Sequence, residues 1–363
     1  MGKRKLILED GTIFTGEAFG GEADVKGEVI FHTGMTGYQE IVSDPSYFGK
    51  IVTLTYPSIG AAGINRDDFE SIKPYVNGII AREICQEPSN FRNEETIDQF
   101  LKKHNIPGIA GIDTRMLTRQ LRQKGTVKGI ITDVELDSDE YKQLQIDEES
   151  TFVEETSITR PYIVPGRGKR IVMIDFGMKH SILHELTSRN CHVTVVPYNY
   201  QTEDILRFKP GGILLSHGPG NPNLLTSTIE TIKSLLGLPM LGIGFGHQLL
   251  ALACGATINK RAVGQYGTNF PVKDVQSDQT WLTTQSSNYK VEESSLKHTS
   301  LNVTFRSIND DTIQGVIHSI YPAISVQFNP EGAPGTNETN FIFDQFLELM
   351  EERQLENGGL PHA

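Results

Sequence analysis

The sequence predicts a two-domain α/β chain, an N-terminal mixed α/β domain followed by a C-terminal domain on a mainly parallel sheet. Three observations lead there. The chain has 363 residues, and domains average roughly 150. From Arg170 onward buried-strand and amphipathic-helix patterns alternate, which implies a parallel sheet covered on both faces. Between residues 136 and 169 the composition shifts, acidic and polar to Glu155 and then rich in Pro, Gly and basic residues from Pro161 to Lys169, which reads as a linker. The expected divisions are 1–135, linker 136–169, 170–355 and a tail 356–363.

In the first domain, residues 6–8, 28–31, 51–56 and 78–81 are short β-type runs bounded by Gly, Asp, Asn or Pro. Residues 96–104 open on a capping pair and carry Ile97, Phe100 and Leu101 on one helical face. Residues 113–125 carry Met116, Leu117 and Leu121 at i, i+1 and i+5, with Arg115, Arg119 and Arg122 outside, either a solvated face or a surface for an acidic partner. A short helix is expected around 138–145 in the linker. The second domain reads as strands at 171–174, 193–196, 212–215 and 239–243, with helices at 180–189, 202–208, 224–236 and 248–254. Residues 257–328 are strand-rich, and 340–354 form a terminal helix. Ligand sites in such sheets lie at the carboxyl ends of the strands.

Lys and Arg number 33 against 45 Asp and Glu, a net charge of −12. Phosphate contacts need basic residues, so a nucleic-acid surface is not expected. No stretch approaches the roughly 18–20 apolar residues of a membrane span. Residues 1–20 read as a strand and turn rather than a signal peptide. The three cysteines, Cys85, Cys191 and Cys254, argue against a disulfide framework and for a reducing, cytoplasmic setting.

The fourth strand of the second domain runs into Leu241-Gly242-Ile243-Gly244-Phe245-Gly246-His247-Gln248 and an apolar helix. A strand, a sharp Gly-bounded turn and a helix make a nucleophile elbow, with backbone N–H groups placed to stabilise an oxyanion. The Gly-x-Gly-x-Gly spacing is not that of a dinucleotide loop. Asp67-Asp68 fit either a metal site or a solvated turn, and His180, His184, His192 and His217 are scattered without ligand spacing, so no metal site is expected.

These residues resemble the small subunit of glutamine-dependent carbamoyl-phosphate synthase, whose C-terminal half is a class I glutamine amidotransferase. The resemblance covers nearly the whole chain. It rests on Gly34-Met35-Thr36-Gly37-Tyr38-Gln39-Glu40, Ser43-Asp44-Pro45-Ser46-Tyr47, Gly63-Ile64-Asn65-Arg66-Asp67-Asp68, Pro88-Ser89-Asn90-Phe91-Arg92 and Gly111-Ile112-Asp113-Thr114-Arg115. In the second half it rests on Asp175-Phe176-Gly177-Met178-Lys179, Ser216-His217-Gly218-Pro219-Gly220-Asn221-Pro222 and the elbow. It implies a class I amidotransferase-like C-terminal domain and pairing with a large subunit that makes carbamoyl phosphate from bicarbonate, ATP and ammonia. This chain would need no cofactor of its own, and would serve pyrimidine or arginine synthesis.

The family's elbow reads Gly-Ile-Cys-Leu-Gly-His-Gln. Here Gly244 stands at the cysteine and Phe245 at the leucine. The family's His-Pro-Glu segment reads Asn329-Pro330-Glu331, so the base is replaced and the triad acid Glu331 is kept. Attack on a side-chain amide needs a thiolate and a base; Gly244 has no side chain and Asn329 does not titrate near neutral pH. Cys254 lies ten residues beyond Gly244, about 15 Å along a helix, and reads as a core cysteine. Ser46, Gly218, Gly220 and Gln248 match glutamine-contacting positions, with Gly218 and Gly220 in the oxyanion region. The family's Gln-Asn-His-Gly stretch has become Gln285-Ser286-Ser287-Asn288-Tyr289, and a second pocket segment has drifted to residues 263–271.

The expected function is a small subunit that binds the large one without hydrolysing glutamine. Two alternatives stay open, a glutaminase that uses other groups and a module that senses glutamine or another amide.

Overall fold

The computed structural model describes residues 2–134 and 152–356. The chain divides into two compact units, Met1–Glu148 with Ala262–Gly267, and Glu149–Arg261 with Thr268–Ala363. The helix expected around 138–145 lies outside the described residues.

The first unit contains β1 (Lys3–Leu8), β2 (Ile13–Gly20), β3 (Val25–His32), α1 (Tyr38–Ser43), β4 (Lys50–Leu54), β5 (Ser58–Ile59), β6 (Gly78–Ile80), β7 (Glu83–Ile84), α2 (Ile97–Lys103), β8 (Pro107–Ala110), α3 (Thr114–Lys124) and β9 (Val127–Thr132). Strands β1-β2-β8-β6-β4-β3-β9 close into a mixed barrel. Alternation along the strands serves two apolar clusters. Leu6, Leu8, Val29, Ile51, Ile80 and Ile131 join Leu117 and Leu121 of α3. Ile30, Val52 and Ile79 join Phe100 and Leu101 of α2. Thr96 and Gln99 form the expected capping box of α2, and Asp113 caps α3 through the Met116 N–H. Strands β2, β8 and β9 were not expected, because their Gly residues interrupt the β-branched runs that mark a strand. Asp67 and Asp68 are tied to Arg92, whose Nη2 lies 3.2 and 2.7 Å from their carboxylates.

The second unit contains α4 (Phe152–Thr156), β10 (Tyr162–Val164), β11 (Arg170–Asp175), α5 (His180–Ser188), β12 (His192–Pro197), α6 (Thr202–Arg207), β13 (Gly212–Leu215), α7 (Thr226–Leu235), β14 (Met240–Ile243), α8 (Phe245–Ala253), β15 (Ile258–Asp274), β16 (Thr280–Val291), α9 (Glu293–Leu296), β17 (Leu301–Ser307), β18 (Ile313–His318), β19 (Ala323–Val326) and α10 (Phe341–Glu356). One sheet runs β10-β12-β11-β13-β14-β19-β18-β17-β15-β16. Strands β12, β11, β13, β14 and β19 are mutually parallel. Both faces are covered, as a buried parallel core requires. Ile171 and Met173 of β11 pack with Ile182, Leu186, Phe343 and Phe346. Their neighbours Val172 and Ile174 pack with Ile232, Leu235, Leu249 and Leu250.

Two stretches depart from the expected boundaries. Residues 152–164, read as linker, supply α4 and the edge strand β10, because Phe152 and Val153 are buried and β10 pairs with β12. Residues 262–267, read within the second domain, belong to the first unit. There Tyr266 stacks at 5.5 Å on Tyr47, its carbonyl accepts from the Thr33 N–H, and the Ala262 carbonyl accepts from Thr126.

Candidate functional site

The carboxyl ends of β11, β13, β14 and β19 carry most of the residues singled out in the second unit. β14 ends at Ile243, and α8 begins at Phe245, three residues earlier than the sequence suggests. Gly244 alone makes the turn, at φ 55° and ψ −102°. An L side chain in such a region is strained by about 1–3 kcal/mol. The Gly244 N–H donates to the Val326 carbonyl at 2.8 Å, and the Gly246 N–H to the Ser216 carbonyl at 3.0 Å, so the elbow is tied to both neighbouring strands. Gly246 lies against the Leu215 carbonyl and leaves no room for a Cβ.

Position 244 has no side chain, and its space is taken. A Cβ built there would stand 2.6 Å from Cδ2, 2.7 Å from Nε2 and 2.9 Å from Cγ of His217. His217 has no ligand spacing in the sequence, yet it immediately precedes Gly218 just beyond β13, inside a segment that carries the resemblance. Its Nδ1 lies 2.6 Å from the Gly218 N–H, which donates to it, and 3.2 Å from the Gly218 carbonyl. The shorter contact makes Nδ1 an acceptor. The proton is therefore on Nε2, which donates to Ser286 Oγ at 3.0 Å. An imidazole so arranged is no base for that hydroxyl. Burial pushes the His217 pKa down to about 4, against the opposing pull of the Glu331 charge.

Asn329 and Glu331 follow β19. The Asn329 N–H donates to the Thr284 carbonyl at 2.9 Å. Neither end of its buried side-chain amide has a hydrogen-bond partner among the described residues. Glu331 Oε1 accepts from Lys179 Nζ at 2.7 Å, while Oε2 is buried without a partner among the described residues. The Glu331 carboxylate thus faces the Lys179 ammonium.

Gln248 on α8 donates to Ser287 Oγ and Gln327 Oε1, each at 2.9 Å, and to the Tyr289 carbonyl at 3.3 Å. His247 is engaged by Ser325 at 2.8 Å, and burial lowers its pKa to about 3. The Phe245 ring packs 5.8 Å from that of Phe176. Gly218 sits against the Phe176 carbonyl where a Cβ would not fit, and Gly220 adopts φ 93°. Asn288 and Tyr289 are buried in β16. Ser46 belongs to the first unit, in a 3-10 turn over Pro45–Tyr47 capped by Asp44, with its hydroxyl buried.

Cys254 ends α8, with its thiol pKa raised to about 11 by burial. Cys191 is buried just before β12, and Cys85 lies in the first unit. The elbow can offer hydrogen bonds and shape to a ligand, but position 244 supplies no nucleophile.

Residues 6–131 match the family model described as carbamoyl-phosphate synthase small chain, CPSase domain. Residues 172–349 match glutamine amidotransferase class-I. The carbamoyl phosphate synthase small chain of Oceanobacillus iheyensis is 54% identical, covering 100% of both chains. The pyrimidine-specific small chain of Halalkalibacterium halodurans is 51% identical over 97% of this chain and 98% of the relative. That of Bacillus subtilis is 52% identical over 98% of each.

Proposed function

The chain belongs to the carbamoyl-phosphate synthase small-chain family, and on that premise we propose that it pairs with a large synthetase subunit while hydrolysing no glutamine itself. One observation carries the reading: the elbow presents Gly244, so the atom that would attack an amide does not exist at that position. The replaced base and the engaged acid act in the same direction. Asn329 neither takes nor returns a proton, and Glu331 is held by Lys179. Losing several members of such a machinery costs little more than losing one.

In this reading Gly218, Gly220, Phe245, Gln248, Ser286, Asn288 and Tyr289 of the second unit stand at what was a glutamine site. The large subunit would carry the ATP and bicarbonate chemistry and draw on free ammonia. The names of two relatives favour a pyrimidine role over an arginine one. The test is a complex reconstituted with a large subunit: carbamoyl phosphate should form with ammonium and not with glutamine. Glutamine-supported synthesis well above background would overturn the proposal.

A second reading is favoured by the buried, unpartnered amide of Asn329 and Oε2 of Glu331. These offer both a donor and acceptors, the complement of a primary carboxamide. A glutamine-sensing pocket would bind glutamine in a calorimeter, and absence of heat at millimolar ligand would dispose of it.

A further inference from the structure

The relation between Gly244 and His217 reaches beyond the loss of a thiol. Three ring atoms of His217 stand within 2.9 Å of the place a Cβ on Gly244 would take. Nonbonded carbons require roughly 3.5 Å or more, so ring and side chain cannot share this volume. The ring is fastened at both nitrogens, to the Gly218 N–H and to Ser286 Oγ. It is 2% exposed, on a residue whose following glycine is pressed against the Phe176 carbonyl. A rotation away would break both hydrogen bonds inside a packed site, where unmet polar groups are costly.

We propose that His217 is the resident of the nucleophile's volume, a third determinant of what this pocket can do beside Gly244 and Asn329. With the ring in place no side chain fits at 244, a thiol included. Restoring a cysteine and a histidine at the two triad positions therefore leaves the elbow obstructed. The functional meaning rests on reading the elbow as an amidotransferase site; the steric exclusion does not.

Gly244 is required on two separable grounds. Its backbone conformation penalises any L residue, whatever surrounds it. The imidazole penalises one only while His217 is present. A double-mutant cycle separates the two, because backbone strain is common to both arms. Gly244→Ala should be made in the full chain alone and together with His217→Ala, and the melting temperatures compared with the parent and with His217→Ala. Gly244→Ala is expected to lower the midpoint by about 5 °C or more with His217 intact, and by less than half as much beside His217→Ala. Folding of Gly244→Ala only in the His217→Ala background would support the proposal equally. Equal losses in the two backgrounds would overturn it, as would failure to fold in both, since the backbone alone would then set the limit. The cycle involves no glutamine, so its failure is distinct from failure of the non-hydrolysing reading, which ammonia release decides.

Discussion

Lys179 and Glu331 form an ion pair with Nζ 2.7 Å from Oε1, and neither side chain is exposed. Lys179 lies between β11 and α5, and Glu331 follows β19, so the pair ties two strand ends together across the site. Removing one partner of a buried pair strands the other charge, at about 3–5 kcal/mol. Lys179→Met should lower the unfolding free energy by that order, and adding Glu331→Gln should recover most of it. Urea titration of the two variants decides this; a loss under about 1 kcal/mol for Lys179→Met would show the carboxylate is satisfied elsewhere.

Gly244→Cys combined with Asn329→His should give weak glutaminase activity at best, at least about tenfold below an intact family member. Ser286, Asn288 and Phe245 still differ from the pattern that the resemblance implies, and His217 still lies against position 244. Full activity in this double variant, measured as ammonia released from glutamine, would mean that the remaining pocket changes have no consequence.

Gly246→Ala should destabilise by about 1–3 kcal/mol, the usual range for overpacking, because its Cβ would meet the Leu215 carbonyl. Gly237, where nothing lies within 4 Å of a built Cβ, is the control. Gly237→Ala should fall within about 0.5 kcal/mol of the parent. Equal effects at the two positions would contradict the close approach of the elbow to β13.

Stability should fall in mild acid. His32, His217 and His247 are buried, and their pKa values are lowered by desolvation to about 3, 4 and 3 from the ordinary 6.5. Folded values below the unfolded ones mean that the unfolded chain binds more protons. The stability linked to each imidazole is complete above about pH 6.5 and is lost as pH falls toward 3–4. Each contributes a slope of about 1.4 kcal/mol per pH unit in that window. Asp175, whose pKa burial raises despite three backbone N–H donors, works in the opposite sense. Unfolding free energies measured between pH 4.5 and 6 should show a shallower slope in His217→Asn by about that amount; an unchanged slope would count against a neutral buried ring.

An electrophile shaped like glutamine should label none of the three cysteines in the native chain. Burial raises the pKa of Cys191 and Cys254, and thiolate is the reactive form. Intact-mass measurement after incubation checks this. A single stoichiometric adduct, blocked by glutamine, would reveal a nucleophile placed where the fold offers none.

The elbow and its Gly244 were legible because such an elbow is local: a buried strand, one residue of special backbone and an apolar helix are adjacent in the chain. That Asn329-Pro330-Glu331 departs from the family's His-Pro-Glu pattern was equally legible. The seven-stranded barrel was not, since β2, β8 and β9 carry glycines that dilute strand patterning and only their partners make them strands. Nor was the discontinuous first unit, where Tyr266 is claimed by Tyr47.

The sequence by itself determined the family, the alternation that builds the parallel core, and that Gly244 and Asn329 stand at the elbow and before Pro330-Glu331, because side-chain identity and periodicity are properties of single positions and short runs. Tertiary structure alone decided what lies against them. His217 reaches Gly244 only because β13 lies beside β14, and Lys179 meets Glu331 across 152 positions only because the strands β11, β13, β14 and β19 end side by side. Such meetings follow from strand order, which no local pattern encodes.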